Sequence, residues 1–501
     1  MNILGISAGF HDAAAAIVNR KGDVLFASQS ERYSLDKNDA DIGHGLAAEL
    51  SNYDFDTVAY YERPWAKQLR RLYTGEGVQW NQLTVRGIIK QQLGNGLAHR
   101  VKHVHSYNHH LSHAAAGFQT SPFDRATVVV IDAIGEWDTI TIWGAEYNHA
   151  GVAKYKKLWG QRYPHSIGLF YSAMTKQAGL IPNEEEYILM GMSAYGRPGH
   201  AAWIEDILIN NEWEVTFKQN LHIGINSDII ENVQDANLAA AAQCIAENLI
   251  YNVMRRARDF KWSQNLVYGG GVALNCLANR KLGEYFDRLY IMPSPGDSGS
   301  ALGAAALAYG RRINWIDNFL GHTISGDYPV NAALDVLLDS RIVGIASGPA
   351  EFGPRALGNR SLLADPRGID IKDRVNEIKR RQQFRPFAPV ILEEQVDQYF
   401  IMPLGWDSSP YMQTTAICRE PERFPAICHV DGTSRVQTVS KNCRSGIRQL
   451  LEKWYVMTGC PMLLNTSLNV RGEPMVNNID DARRFESIYG IKVLCQNQDA
   501  S

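Results

Sequence analysis

The sequence lacks the features of a disulfide-stabilised or membrane-spanning chain. Seven cysteines are scattered among 501 residues, an odd number without a Cys-x-x-Cys pair. Such cysteines are typical of reduced thiols and not of a disulfide framework. No apolar run approaches the roughly 18 residues of a membrane helix, and the opening residues show no basic region followed by a long apolar one. We therefore expect a cytoplasmic protein with no signal peptide and no membrane span.

The chain also lacks an excess of charge of either sign. Its formal net charge of −3 gives no global reason to expect nucleic acid or an acidic membrane as a partner. With 45% hydrophobic and 21% charged residues, the composition is that of an ordinary globular protein. A length of 501 residues predicts two or more domains, each large enough for its own core.

A strand–turn–strand pattern occurs twice in the first third of the chain. Residues 2–7, 13–18 and 24–28 predict a meander, and residues 126–131 and 139–143 predict two strands around a turn at 132–138. Helical sequence follows each unit. This repetition predicts a duplicated α/β fold of the actin and sugar-kinase type, in which nucleotide lies in the cleft between the halves.

The first hairpin contains a competing motif. Gly5, Ser7 and Gly9 match the Gly-x-Ser-x-Gly pattern of a hydrolase nucleophile. That nucleophile needs a helix directly after the serine, whereas a returning strand is predicted here, so we disfavour a hydrolase. His11 and Asp12 in the turn are better candidates for phosphate or substrate contacts, and the alternative is that they cap backbone groups of the turn.

A run of histidine and alanine at 108–118 predicts a helix that presents two imidazoles on one face. His109 and His113 are four residues apart and would point to a common position, while His110 lies about 100° around the helix and would serve packing or orientation. Paired helical histidines also occur as ordinary core or surface residues. Asp132 and Asp297 follow predicted strands, in loops, and a mixed set of imidazole and carboxylate ligands suits iron(II), manganese or zinc better than calcium.

Two glycine-rich turns precede predicted helices in the middle of the chain, at 269–275 and 293–307. Such turns let backbone N–H groups approach a phosphate closely. Leu274 stands where the dinucleotide fingerprint has its third glycine, so that motif is absent. The nucleotide-binding candidates are Gly269, Gly270, Gly271, Asn275, Gly296 and Ser298.

Residues 316–340 form an apparent break between predicted elements, and we place a domain boundary near 325. The second domain has four separated islands, at 351–361, 376–387, 431–437 and 464–474, in which basic and polar residues stand among Gly, Pro and Phe. Scattered arginines are usually solvated, but rigid neighbours favour a phosphate or carboxylate pocket. Its candidate residues are Arg355, Arg360, Lys379, Arg385, Arg435, Ser467 and Asn469.

These stretches together resemble one family, the O-carbamoyltransferases of the nodulation and antibiotic-tailoring type. The resemblance runs in order through nearly the whole chain, and its most specific motif is Glu351-Phe-Gly-Pro-Arg-Ala-Leu-Gly-Asn-Arg-Ser361. The other matching stretches are 11–14, 108–113, 164–168, 190–196, 270–275, 295–299, 384–389, 431–433 and 465–469.

The resemblance implies an actin-like domain at 1–325, related to the metalloprotein that transfers threonylcarbamoyl to tRNA, followed by a YrdC-like α/β domain at 326–501. The second domain would convert carbamoyl phosphate and ATP, with Mg²⁺, to carbamoyl adenylate. The first would then transfer the carbamoyl group to a hydroxyl. His11, Lys379 and Arg385 would be the catalytic residues, with His11 lining the acceptor site. The metal, with iron(II) preferred, would be held by His109, His113, Asp132 and Asp297.

The acceptor class remains open in the sequence: a natural product, a sugar or a modified nucleotide would each supply a hydroxyl, and the enzyme could be a homodimer. Two positions depart from the family pattern, because Ala133 stands for the usual glycine and Ile188 for a frequent lysine. The alternative function is an actin-like ATPase or small-molecule kinase whose second domain senses an anion.

Overall fold

A computed structural model describes residues 2–75, 77–225 and 233–496 of the chain. Its first half contains two five-stranded sheets, and its second half is built on a six-stranded sheet. Within the described residues, no helix is both long and apolar enough to cross a bilayer.

The first sheet has the strand order β3-β2-β1-β4-β5, in which β1, β2 and β3 are antiparallel and β4 and β5 run parallel to β1. The predicted meander is confirmed, and β2 begins at Ala14, after the turn that follows Ser7. No helix follows that serine, so the nucleophile motif is not in a hydrolase context. The elements of this part are β1 (Ile3–Ser7), β2 (Ala14–Val18), β3 (Val24–Gln29), α1 (Glu31–Ser34), α2 (Gly43–Leu50), β4 (Thr57–Tyr60), α3 (Pro64–Tyr73), α4 (Val85–Ala98) and β5 (His103–Ser106).

The second sheet repeats the same topology, with β8-β7-β6 antiparallel and β11 and β12 parallel to β6. The repeat confirms the predicted duplicated α/β architecture. Its elements are α5 (His109–Thr120), β6 (Arg125–Gly135), β7 (Asp138–Tyr147), β8 (Ala153–Arg162), α6 (Ile167–Gln177), α7 (Glu186–Met192), α8 (Ala201–Leu208), β9 (Ile209–Asn211), β10 (Thr216–Phe217), α9 (Asp235–Asp259), β11 (Asn265–Gly269), α10 (Cys276–Asn279), β12 (Arg288–Tyr290) and α11 (Asp297–Tyr309).

The second hairpin differs from its prediction. Strand β6 continues through Asp132 to Gly135, so the turn contains only Glu136 and Trp137, and Asp132 lies within a strand and not in a loop. The apolar residues before Asp132 are fully buried, because helices cover one face of the sheet and α5 covers the other. Because these strand residues are buried, they hold the carboxylate of Asp132, which follows them, in a fixed position.

The second half contains a six-stranded mixed sheet in the order β21-β17-β22-β16-β14-β23. The segment 316–340 contains β13 and α12, and the predicted boundary near 325 lies in the connection between them. Strand β13 precedes the predicted boundary near 325 but pairs with β15 beyond it. The elements are β13 (Phe319–Ile324), α12 (Val330–Ser340), β14 (Ile342–Ala346), β15 (Gly348–Glu351), β16 (Arg360–Ala364), α13 (Asp370–Ile378), β17 (Ala388–Leu392), α14 (Val396–Tyr399), β18 (Phe400–Ile401), β19 (Ala416–Cys418), β20 (Thr433–Ser434), β21 (Gln437–Val439), α15 (Ile447–Thr458), β22 (Met462–Ser467), α16 (Ile479–Tyr489) and β23 (Val493–Leu494).

Helices α5 and α11 cross at very short range between the two sheets of the first half. A Cβ atom placed on Gly303 of α11 would lie 1.9 Å from the carbonyl oxygen of Ser112 in α5. Only a glycine allows the two backbones this approach. The contact matters for the site because α5 begins at His109 and α11 begins at Asp297.

We predict that Gly303→Ala destabilises the protein by at least about 1–3 kcal/mol, because the added methyl group forces α11 away from α5. Urea unfolding followed by circular dichroism measures the effect. Gly96→Ala is the matched control: Gly96 lies within helix α4, and its added Cβ meets nothing within 4 Å. That control should be neutral or stabilising, by up to about 1 kcal/mol. Equal stability of the two variants would contradict the close packing.

Candidate functional site

A single cavity of about 550 Å³ extends between the two halves of the chain. Asp132 and His11 lie in its first-half wall, and a group of arginines and lysine lies in its second-half wall. The cavity therefore extends from the predicted anion pocket to Asp132, one of the four predicted metal ligands.

Helix α5 positions the two histidines of the metal cluster. It begins directly after Asn108, whose side-chain oxygen accepts a hydrogen bond from the backbone N–H of Leu111 and caps the helix. His109 and His113 occupy successive turns on one face, and their Nε2 atoms are 3.0 Å apart. Both side chains are buried. The four-residue spacing thus brings the imidazoles together as predicted.

Two carboxylates complete the cluster from different elements. Asp132 Oδ2 lies 3.2 Å from His109 Nε2 and 3.3 Å from His113 Nε2. Asp297 Oδ1 lies 3.3 Å and 3.2 Å from the same two nitrogens. One ligand atom from each of the four residues lies within 4.8 Å of the others. Asp132 within β6 and the first residue of α11 therefore meet over α5.

The donor set fits a transition-metal ion. Bonds of about 2.0–2.2 Å from nitrogen and oxygen to a metal, at angles between octahedral and tetrahedral, place neighbouring ligand atoms about 2.8–3.6 Å apart. The distance between the two imidazole nitrogens and their four distances to the carboxylate oxygens fall in this range. Calcium, which takes six or more oxygen ligands at longer distances, fits less well.

The electrostatics of the cluster are dominated by burial and by mutual pairing. Burial raises the pKa of the Asp132 and Asp297 carboxyls, but the two imidazoles outweigh burial and hold the pKa of each below its usual value. Burial lowers the pKa of His109 and His113, but the carboxylates outweigh it and raise the pKa of both. A bound divalent cation would replace the imidazolium groups as the positive partner of the two carboxylates. The imidazoles would then bind the cation in their neutral form.

His110 has a supporting position, as predicted. Its Nδ1 lies 2.9 Å from the Thr141 hydroxyl, and burial holds the pKa of His110 well below its usual value. The ring of His113 is oriented by a contact of 3.1 Å between its Nδ1 and the carbonyl oxygen of Pro295. A second-nitrogen contact of this kind fixes the ring so that Nε2 faces the cluster.

Lys379 is at the centre of the second-half wall. Among the described residues its partners are neutral oxygens: Nζ donates to the carbonyl and hydroxyl of Ser467 and to Asn469 Oδ1, at 2.6, 3.0 and 2.6 Å. Burial and the neighbouring Arg381 and Arg385 lower the pKa of Lys379 well below its usual value. An anion in the cavity would restore its charge.

Five guanidinium groups line the same wall, those of Arg355, Arg381, Arg385, Arg435 and Arg471. Arg385 lies over the ring of Tyr187, with its central carbon 4.7 Å from the ring centroid, and Arg381 lies 4.0 Å over Phe387. Burial, together with the adjacent Arg435, lowers the pKa of Arg355 to about 9. Stacking leaves the edges of such groups free for the bidentate contacts that phosphate prefers.

The predictions for three residues are corrected by their positions. Arg360 does not line the cavity: it is fully buried, and its guanidinium donates to several backbone carbonyls, among them those of Ser347 and Asn477. It stabilises the second-half sheet. Gly269 and Gly270 do not line the cavity. A Cβ on Gly270 would meet the Ile131 carbonyl oxygen at 2.2 Å.

The other nucleotide candidates line the cavity: Gly271, Asn275, Gly296 and Ser298. Gly271 also donates its backbone N–H to Asp132 Oδ1 at 3.3 Å. Asn275 caps α10 through a hydrogen bond to the Ala278 N–H. Because all four line the cavity, their role in nucleotide binding stays a prediction.

Sequence reasoning missed three residues of the anion pocket, one of which is Arg471 in the island 464–474. Arg381 lies in the island 376–387 but has no motif of its own, and Tyr187 comes from α7 of the first half. The family departures are also placed: Ala133 lines the cavity beside Asp132, whereas Ile188 is buried and does not. A lysine at 188 would therefore not face the cavity in this backbone.

His11 lies at the cavity wall beside Asp12, whose Oδ2 is 3.1 Å from His11 Nδ1. Burial lowers the pKa of His11, but Asp12, Asp297 and Asp132 outweigh it and raise the pKa to about 9. At neutral pH the imidazole is therefore protonated in the metal-free state.

We predict that the purified protein binds about one divalent ion per chain and that the double variant His109→Ala with His113→Ala loses it, because two of four donors are removed. Metal analysis after dialysis measures the content. The control is His44→Asn, on the exposed side of α2. Full occupancy in the double variant would exclude the cluster as the metal site.

Comparison with known proteins gives a consistent picture. Residues 60–306 match the model of the carbamoyltransferase N-terminus, and residues 334–499 match that of the carbamoyltransferase C-terminus. A protein of Synechocystis sp. described as uncharacterized is 32% identical and covers 96% of this chain and 94% of its own. Nodulation protein NolNO of Sinorhizobium fredii is 30% identical, with 94% of this chain and 76% of its own covered.

A third relative and one solved structure complete the comparison. Nodulation protein NolO of Bradyrhizobium diazoefficiens is 31% identical over 75% of each chain. Component A of (R)-2-hydroxyglutaryl-CoA dehydratase from Acidaminococcus fermentans covers 62% of this chain and 98% of its own, with 15% identity and a TM-score of 0.34. The sequence matches span both halves and confirm the resemblance of the motifs. The chain belongs to the carbamoyltransferase family.

Proposed function

We propose that the protein is an ATP-dependent O-carbamoyltransferase that makes carbamoyl adenylate from carbamoyl phosphate and ATP and transfers the carbamoyl group to a hydroxyl of a small molecule. The observation that carries the proposal is one cavity with a cationic wall in the second half and, in the first half, Asp132, which belongs to the cluster of two imidazoles and two carboxylates. The actin-like assignment of the first half and the YrdC-like assignment of the second belong to this proposal.

The proposed reaction balances in two parts. Carbamoyl phosphate, ATP and water give carbamoyl adenylate, phosphate and pyrophosphate. In this part of the reaction, a carbamate oxygen replaces pyrophosphate on the α-phosphorus of ATP. The acceptor hydroxyl then attacks the carbamoyl carbon, AMP leaves with the bridging oxygen, and the hydroxyl proton is lost to a base or to solvent.

The second-half wall is suited to the first part. Lys379, Arg385, Arg355 and Arg435 line a space that a phosphate or triphosphate would neutralise, and Ser467 and Asn469 hold the lysine in place. Oriented cations in a site with little water stabilise the charge that develops on a leaving phosphate. Arg381 extends this wall from the same segment.

The first-half wall is suited to transfer. His109, His113, Asp132 and Asp297 would hold the divalent ion, with iron(II) preferred, and this ion would act as a Lewis acid toward a carbonyl or phosphoryl oxygen. His11 lines the same wall and would position the acceptor hydroxyl. Because the imidazole is protonated in the metal-free state, it could accept a proton only after its pKa is lowered, which cation binding at Asp132 and Asp297 favours.

A kinase or ATPase is the alternative function. A kinase would release ADP with an added alcohol, whereas the proposed enzyme releases pyrophosphate only when ATP and carbamoyl phosphate are both present. The acceptor is a natural product, a sugar or a modified nucleotide; a mass-spectrometric screen for carbamoylated products with each class distinguishes them.

We predict that Lys379→Ala or Arg385→Ala lowers carbamoyl-phosphate-dependent pyrophosphate release by at least about tenfold. Each variant removes a charge-assisted contact to phosphate worth about 1.5–3 kcal/mol. A coupled pyrophosphate assay measures the rate. The matched control is Arg374→Ala, because Arg374 lies on the same segment but is exposed and pairs with Asp370. Wild-type release by Lys379→Ala would contradict the assignment of the pocket.

We predict that His11→Asn separates the two parts of the reaction. The substitution leaves the cationic wall unchanged, so pyrophosphate release should stay within about threefold of wild type, while acceptor carbamoylation falls by at least about 100-fold, the usual scale of a lost acid–base group. Pyrophosphate release and carbamoylated product are measured in one reaction. If His11→Asn abolished pyrophosphate release, the division between the two walls would be wrong.

A further inference from the structure

Glu62 is a buried carboxylate to which neither the sequence motifs nor the proposed mechanism assigns a role. It follows strand β4 closely and is 4% exposed. Its Oε1 accepts a hydrogen bond from Lys67 Nζ at 2.8 Å, and Lys67 in turn donates to the carbonyl oxygen of Gly9 at 3.1 Å. A buried carboxylate is costly unless it is paired, and Lys67 supplies one partner.

The second oxygen of Glu62 faces the ring of His109, one of the four cluster residues. Its Oε2 lies 3.8 Å from Nδ1 of His109, on the side of the ring opposite the cluster. That Nδ1 is buried and has no hydrogen-bond partner among the described residues, whereas Nδ1 of His113 contacts a backbone carbonyl. A small rotation of the His109 ring would bring Nδ1 into hydrogen-bond distance of the carboxylate.

We infer that Glu62 is a positioning residue for the metal centre: it accepts the Nδ1–H of His109, selects the tautomer whose Nε2 is free to bind the ion, and increases the basicity of that nitrogen. A ligating imidazole generally needs such an acceptor, and a carboxylate is the strongest one available in a protein. This inference rests on the metal site of the proposed function.

The same arrangement assigns Lys67 a separate role. Lys67 keeps the carboxylate charged and links it to the hairpin that carries His11, through the Gly9 carbonyl. It does not contact the histidine. A variant that lacks the charges of both Glu62 and Lys67 should therefore fold but should no longer orient His109. This variant separates the effect of Glu62 on folding from its effect on the metal ligand His109.

The test measures Zn²⁺ affinity by competition with a chromophoric chelator, on metal-free full-length protein. Glu62→Gln and the double variant Glu62→Gln with Lys67→Met should each bind Zn²⁺ at least about tenfold more weakly than wild type, which is the usual effect of losing such an acceptor. The Co²⁺-loaded variants should also show shifted visible absorption bands. Thermal unfolding of the metal-free proteins reports any loss of stability separately.

Asp138→Asn is the matched control. Asp138 is also a buried carboxylate paired with a lysine, since its Oδ2 lies 2.8 Å from Lys157 Nζ, but it faces no ligand nitrogen. The Asp138→Asn variant should bind Zn²⁺ with the affinity of wild type. If the double variant folds and keeps wild-type affinity, Glu62 has no positioning role although the metal site stands. If wild type itself binds no Zn²⁺ or Co²⁺, both the metal site and this inference are overturned.

Discussion

The first half of the structure depends on keeping two carboxylates of like charge buried side by side. Asp132 and Asp297 cannot both stay ionised in this position unless positive charge lies between them, which requires imidazoles at hydrogen-bond distance and favours a cation. To meet that requirement, α11 must begin beside Asp132 of β6, and α5 must bring its two histidines to the same point. The contact at Gly303 and the bare turn at Gly270 are consequences of this convergence.

The second half has the opposite constraint. Lys379 and its neighbouring guanidinium groups are brought together with depressed pKa values, and the hydrogen-bond partners of the lysine among the described residues are neutral. Such an arrangement is unfavourable without a ligand and is stabilised by an anion. One wall of the cavity thus favours a cation and the other an anion. In the proposed reaction, the phosphate substrates would bind at the wall that favours an anion, and transfer would follow at the wall that favours a cation.

Local patterns allowed the helix and strand assignments that matter most to be predicted. The spacing of His109 and His113 needs only helical periodicity, and the duplicated hairpins need only alternating strands and turns. Arg360 could not be separated from Arg355 by sequence, because both stand in one motif and only the pairing of β16 turns Arg360 toward backbone carbonyls. Glu62 carried no signal, because its partner His109 is distant in sequence and is brought close by tertiary packing.

Contacts between the two halves hold the walls of the cavity together. Arg471 pairs with Glu185, Arg385 lies over Tyr187, and the Tyr195 hydroxyl donates to the carbonyl of Phe384 at 2.8 Å. The first half therefore supplies part of the wall around the anion pocket. In the proposed reaction, a carbamoyl adenylate formed there would contact residues of both halves. Since this mixed anhydride hydrolyses readily, its use within the same cavity would favour transfer over loss.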